Sequence, residues 1–298
     1  MTSVILTGAS GFLGNYIHQE LAKTHEVITI SRVNADINTN LAFQIPQLPQ
    51  ADIVVHCAGK AHSVPKTEME KQTFFDVNVT GTANLLKGIE TNGLLPIAFV
   101  FVSTVAVYGC DSGVMINEQH PLNATDPYGQ SKIQAEHLVE SWCFKNGVIC
   151  AILRLPLLVG NNAPGNLGSM INGIKKGFYF NIAGGKAKKS MVMALDVAKL
   201  IPIVTKIGGV YNLTDGYHPS FDELSKNIAE QFHRKKPLNM PLWLAKILAS
   251  VGNLLGNKVP INTSKLNKIT SDLTFDDFKA RKELNWSPSS VIKSFKAN

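Results

Sequence analysis

A short apolar run at residues 4–7 ends in Thr7-Gly8-Ala9-Ser10-Gly11-Phe12-Leu13-Gly14, and apolar residues at helical spacing follow at 12–22. A buried strand that turns on glycines into a helix leaves few folds open. Gly8 permits the tight turn, Gly11 lets the backbone approach a pyrophosphate, and Gly14 lets the helix pack close to the sheet. The helix start offers unpaired N–H groups and the positive end of its dipole to phosphate. The spacing is G-x-x-G-x-x-G, one residue longer than the commonest dinucleotide fingerprint. A dinucleotide is therefore expected here, with Gly8, Ser10, Gly11, Phe12, Leu13 and Gly14 around it.

The strand at 26–30 ends Ile30-Ser31-Arg32. NAD binders place an acid about 20 residues beyond the fingerprint, to accept from the ribose 2′-hydroxyl. Here Ser31 and Arg32 stand instead. Arg32 can fork onto a 2′-phosphate, which favours NADP and leaves NAD as the alternative. The competing reading makes Arg32 a solvated surface residue or a stacking partner for adenine. Asp36 and Ile37 are expected to flank the adenine ring.

Further apolar runs at 52–57, 97–103 and 148–153 read as strands, and 68–90 and 127–145 as helices. Continuous apolar strands alternating with helices predict a parallel sheet covered on both faces. After Pro156 the pattern changes: 161–168 is rich in Gly, Asn and Pro, 166–176 can form a helix, and 219 onward is mostly helical. Residues 191–195 and 210–213 read as strands that rejoin the sheet. The expected division is 1–160 with about 190–215 in a dinucleotide-binding domain, and about 161–189 with 216–298 in a substrate lobe.

The net charge is +7, but no basic run interleaves with aromatics, which argues against nucleic acid. The four cysteines form no CxxC pair; Cys57 and Cys150 lie in apolar runs and read as buried thiols, with no disulfide, no metal site and a reducing cytoplasm expected. No stretch reaches the ~20 apolar residues of a membrane span. Residues 242–251 are unusually apolar and are expected to pack within the smaller lobe, in preference to membrane contact.

Tyr128 and Lys132 sit four apart in a predicted helix, on one face. A lysine charge beside a phenol lowers its pKa from near ~10 toward working pH. Such a phenol can give or take a proton while a hydride moves nearby. Alone the pair is a weak signal, and the glycine turn supplies its context. Lys60 and His62 follow the strand at 52–57, at the edge where ligands bind; His62 reads as a sugar or ribose contact or as a surface histidine. His56 reads as a packed core residue.

These features together resemble the extended short-chain dehydrogenase/reductase family, in its nucleotide-sugar epimerase, reductase and dehydratase branch. The motifs are Thr7 to Gly14, His56-Cys57-Ala58-Gly59, Asn78-Val79-Thr80-Gly81, Val102 to Gly109, Pro127 to Lys132, Arg154 to Gly160, Gly165-Asn166-Leu167 and, near the end, Lys279 to Pro288. The resemblance implies a Rossmann-type α/β fold, a doubly wound parallel sheet with a smaller, mainly helical C-terminal substrate lobe. It implies Thr104, Tyr128 and Lys132 as the catalytic trio, with Ser103 and Asn78 structural. Cys57, Ala58, Gly59 and Lys60 would border the cofactor with Tyr128 and Lys132, while His62, Asn166, Leu167 and Lys189 would meet a nucleoside-diphosphate sugar.

Dehydratases of the branch carry Asp-Glu after the catalytic threonine, where this chain has Val105-Ala106, so dehydration is not expected. The short stretch before Asp52, with Arg32, resembles the NADP-dependent 4-ketoreductases of deoxysugar and polysaccharide-precursor synthesis. The expected activity is NADP(H)-dependent reduction of a nucleoside-diphosphate 4-keto sugar. A nucleotide-sugar 4-epimerase is the alternative, and a non-catalytic dinucleotide sensor the second; a homodimer is compatible with each.

Overall fold

The computed structural model describes residues 1–61, 63–91, 93, 95–255 and 262–297. Strand β1 (Ser3–Thr7) leads through the glycine turn into α1 (Phe12–Leu21), followed by β2 (Glu26–Ser31), the two-residue β3 (Ile37–Asn38) and β4 (Ile53–His56). Next come α2 (Glu68–Phe75), α3 (Gly81–Thr91), β5 (Ala98–Thr104), β6 (Gly113–Ile116), α4 (Pro127–Asn146), β7 (Ile149–Leu155) and β8 (Leu157–Val159). The rest comprises α5 (Gly165–Lys176), β9 (Phe180–Ile182), β10 (Met191–Met193), α6 (Ala194–Ile207), β11 (Gly209–Asn212), α7 (Phe221–Gln231), β12 (Leu238–Met240) and α8 (Leu242–Leu255). The chain closes with α9 (Thr263–Thr270), β13 (Leu273–Phe275), α10 (Phe278–Leu284) and α11 (Val291–Ser294).

Seven parallel strands form the central sheet, in the order β11-β7-β5-β4-β1-β2-β3. Alternation assigns the faces. Val4 and Leu6 of β1 point to one side, where Leu13 and Ile17 of α1 and Val197, Ile201 and Val204 of α6 cover them. Ile5, with Phe99 and Phe101 of β5, points to the other, beneath Leu85 and Ile89 of α3 and Val139 and Trp142 of α4. Each fully buried phenylalanine contributes roughly 1.5–3 kcal/mol over its exposed state. The sheet is thus doubly wound and Rossmann-type, as expected. The strand order reverses between β1 and β4, so a crevice opens above their carboxyl ends, beside Thr7 and His56.

The smaller lobe is mainly helical. Leu167, Met170 and Ile174 of α5 meet Leu224 and Ile228 of α7 and Val291 of α11. The short parallel ribbon β8–β10 adds Val159 and Met191 to this core, and the ribbon β9–β12 pairs two segments of the lobe.

Several expectations require correction. The helix expected at 68–90 is two helices joined by a widened turn, Asp76–Thr80. Asn78 lies in that turn, accepting from Lys60 N at 2.7 Å and donating to Ser131 Oγ at 2.9 Å, so a structural tie sets the irregularity. The run at 191–195 does not rejoin the sheet: β10 ends at Met193, pairs with β8, and Ala194 begins α6. The run at 210–213 does rejoin it, as β11 against β7. Cys57 and Cys150 are only partly covered, and Cys143 is the fully buried thiol. On α8 the small residues Ala245 and Ala249 pack inward, while Trp243 and Ile247 are 64% and 53% exposed.

Candidate active site

Two adjoining cavities, of about 490 and 400 Å³, occupy the crevice and share Gly8, Gly11 and the 57–60 segment as a common wall. The first runs out past Ser10 to Ser31 and Arg32 at the end of β2. The second runs past Phe12, Leu13 and Gly14 to Thr104, Tyr128 and Lys132, with Leu155–Leu158 and Pro164 on its far side. The glycine turn lies where they meet. A Cβ at Gly14 would lie 1.9 Å from Gly8 O, so the helix start can approach the turn only as glycine. No side chain caps the first turn of α1, and its N-terminus opens on the cavities. Backbone N–H groups at an uncapped helix start, with a basic residue at each side in Arg32 and Lys60, suit a dinucleotide diphosphate. The cradle fits the cofactor expected from the sequence.

Tyr128 and Lys132 reach the second cavity from the first turns of α4. Asp126 caps that helix by accepting from Gly129 N at 3.1 Å, and Pro127 supplies a preset first residue. Gly129 is required by contact: a Cβ there would lie 2.4 Å from Ala124 Cβ and 2.9 Å from Ala106 O. The start of α4 thereby presses against the turn at Val105–Tyr108, which Thr104 begins. Thr104 Oγ1 accepts from Ala106 N at 3.2 Å, and its hydroxyl also reaches the Tyr128 phenol. Phe74 supports the Tyr128 ring, with 6.1 Å between centroids.

The electrostatics differ from the sequence expectation in one respect. Burial pushes the Tyr128 phenol above its ordinary value, and the hydrogen bond with Thr104 offsets only part of the rise. Lys132 does not lower it here. Lys132 is 5% exposed, and its ammonium donates to Val102 O at 2.7 Å and stands 3.8 Å from the Phe101 ring centre. Burial lowers the Lys132 pKa to about 8, against the pull of Glu136. Cys57 faces both cavities, and desolvation pushes its thiol up to about 12, so it offers no thiolate at neutral pH.

His56 is a packed core residue, as expected. Thr82 spends its hydroxyl proton on Asn78 O, so Thr82 Oγ1 accepts from His56 Nε2 at 2.9 Å; Nδ1 then accepts from Thr7 Oγ1 at 2.6 Å. Burial lowers its pKa to about 3.

Residues 4–213 match the NAD dependent epimerase/dehydratase family. The chain belongs to that family. A UDP-glucose 4-epimerase from Vibrio cholerae is 26% identical over 98% of this chain and 92% of its own length. A GDP-6-deoxy-D-mannose reductase from Pseudomonas aeruginosa is 31% identical over 48% of each chain. A solved UDP-glucose 4-epimerase from Stenotrophomonas maltophila, with bound NAD, superposes with a TM-score of 0.78 at 20% identity, over 99% of this chain and 96% of that one. At that identity the superposition speaks to fold.

Not every residue of this epimerase/dehydratase-family chain singled out from sequence reaches the cavities. Asp36 turns back to accept from Thr29 N and Oγ1 at 2.8 and 2.7 Å, which lowers its pKa, and it lies outside both cavities. Ile37 is held in β3 against Ile30. Residues Thr39–Phe43 line the first cavity instead, a role with no motif to announce it. Leu167 is 2% exposed within the small-lobe core, because it shares the apolar face of α5 with Met170 and Ile174. Asn166 is exposed on that helix. Lys189 gives its ammonium to Lys268 O at 2.8 Å and does not border either cavity. His62 lies outside the described residues.

Sequence reasoning missed a buried ion pair behind the trio. Arg154 Nη2 meets Glu136 Oε2 at 2.7 Å, with the two side chains 7% and 1% exposed. Ser103 Oγ also donates to Glu136. Glu136 falls four residues after Lys132, on the same helix face, and that spacing was the available signal.

Proposed function

We propose that this chain uses NADPH to reduce the 4-keto group of a nucleoside-diphosphate sugar. One observation carries the reading: Ser31 and Arg32, with no carboxylate beside them at the end of β2, line the crevice that continues to Tyr128. Arg32 would take the 2′-phosphate, and the uncapped start of α1 the diphosphate. The nicotinamide, when bound, supplies the hydride. Tyr128 donates its phenolic proton to the carbonyl oxygen, and Thr104 hydrogen-bonds that oxygen through its hydroxyl. Lys132, which lines the same cavity as Tyr128, would fix the ribose and offer its charge to the phenolate left behind. The sugar would enter beside Leu155–Leu158 and Pro164, with its diphosphate supplying the binding energy that orients it. This reading sets the reaction in cytoplasmic synthesis of a deoxysugar or polysaccharide precursor.

A second reading is a 4-epimerase. The Vibrio cholerae relative, which spans nearly the whole chain, favours it. The trio would then act twice, first taking the proton from the 4-hydroxyl and later returning it on the other face. The two readings separate in one experiment. UDP-, dTDP- and GDP-4-keto-6-deoxy sugars with NADPH or NADH, and the corresponding 4-hydroxy sugars, are offered, while nicotinamide absorbance and product configuration are followed. The reductase reading expects one NADPH consumed per 4-hydroxyl formed. Interconversion of 4-epimers with no net consumption would replace it.

A further inference from the structure

We infer that the outer face of α8 docks on an anionic lipid bilayer. The helix turns its smallest residues inward: Ala245 and Ala249 pack with Leu266 of α9 and with Ile182 and Met240 of the β9–β12 ribbon. Bulky residues of the opposite face point out. Trp243, Ile247 and Val251, at i, i+4 and i+8, are 64%, 53% and 46% exposed. A clustered apolar face with an outward tryptophan is the pattern of a helix lying in a membrane interface.

The charge distribution selects the occupant. Between residues 231 and 271 the chain has no Asp or Glu but seven basic residues, Arg234, Lys235, Lys236, Lys246, Lys258, Lys265 and Lys268. The remaining residues carry 22 basic against 22 acidic side chains, so this stretch holds the entire net charge of +7. Lys246 is exposed at the edge of the apolar face. Lys236 pairs with Asp222 and Lys268 with Asp111, and a two-fold contact through this face would bring the Lys246 side chains of two copies together. An anionic lipid surface attracts them instead, while Trp243 and Ile247 enter the headgroup boundary. No described helix is long and apolar enough to cross a membrane, so the attachment is to one leaflet. The inference is independent of the reaction proposed above.

The test is flotation of the full chain with vesicles of phosphatidylcholine alone, or of phosphatidylcholine mixed with phosphatidylglycerol. We expect at least about tenfold stronger binding to the mixed vesicles, weakened by salt. Trp243→Ser with Ile247→Ser should weaken it at least about tenfold, as should Lys235→Glu with Lys246→Glu. Lipids brominated on their acyl chains supply a readout that needs no variant. Trp142 and Trp286 are 8% and 6% exposed, so quenching in wild-type protein reports Trp243. Absence of quenching and flotation, equal binding to both vesicle types, or self-association through Trp243 with no vesicle binding would each overturn the inference.

Discussion

The buried Glu136–Arg154 pair gives the sharpest quantitative prediction. Glu136 is fully buried; it accepts from Arg154 Nε at 3.2 Å and from Nη2 at 2.7 Å, and it also receives Ser103 Oγ. Glu136→Leu removes the carboxylate but leaves a guanidinium that keeps only Tyr108 Oη, at 3.1 Å, and Glu118 O, at 3.3 Å. Breaking such a pair by removing one partner costs about 3–5 kcal/mol, because the other charge stays buried and uncompensated. Scaled to a domain of this size, that is a fall in Tm of roughly 6–15 °C. Arg154→Met should cost a similar amount for the mirror-image reason. The double variant Glu136→Leu/Arg154→Met buries no lone charge and loses only the bonds to Ser103, Tyr108 and Glu118. It should be destabilised by about 2 kcal/mol, well below the sum of the singles. Scanning calorimetry of the four proteins closes the cycle. If either single variant stays within about 1 kcal/mol of wild type, or if the double equals the sum, the pair is not the buried tie between α4 and β7 argued here.

Tyr128→Phe should lower turnover by about 10²–10⁴-fold while leaving NADPH affinity within a few-fold; unchanged turnover removes the proposed proton donor. Arg32→Asp should reduce the preference for NADPH over NADH by at least about tenfold, measured as the ratio of kcat/KM values, and an unmoved ratio would send Arg32 back to the solvated surface. Lys132 should titrate near pH 8 in the free protein, followed by NMR of nitrogen-labelled lysine, and lower still in Glu136→Gln; a midpoint above pH 10 contradicts its burial. Because folding depresses this pKa, the unfolded chain binds more protons between about pH 8 and 10.5, so the contribution of Lys132 to stability rises across that window.

The central sheet and its glycine turn were legible because their signals are local. An apolar strand, three spaced glycines and a helix are contiguous, and so are Tyr128, Lys132 and the cap of their helix. The misreadings share the opposite property. The run at 191–195 has the composition of a sheet strand, but which neighbour a strand finds is a tertiary matter, and β10 found β8. Asp36 carries the right charge near the right strand end, yet Thr29 captures it. Leu167 sits within a matching motif, but its register on α5 turns it into the core. The apolarity of 242–251 was plain, while its direction depended on Ala245 and Ala249 being the residues that fit beneath the helix. The widened turn at Asn78 follows from side-chain bonds to Lys60 and Ser131, partners 18 and 53 residues away in sequence.

The protonation states of the site bear on which way a proton travels. A phenol at its ordinary value near ~10 is ionised in about one molecule per thousand at neutral pH, and burial of Tyr128 lowers that fraction. For an enzyme that must first remove a proton from a hydroxyl, this is a handicap, to be recovered from interactions formed only with ligands bound. For one that delivers a proton to a carbonyl oxygen it is no handicap, since nearly every molecule starts loaded. Lys132 complements that state. With a pKa near 8 it is mostly charged at neutral pH, and its ammonium is held by Val102 O, on the strand that ends in Thr104. The lysine need not ionise the phenol in the free protein; its charge becomes valuable once the proton has left, when a phenolate must be tolerated in a buried pocket. Charge that stabilises the site after transfer, beside a donor kept protonated before it, suits the ketone reduction proposed above.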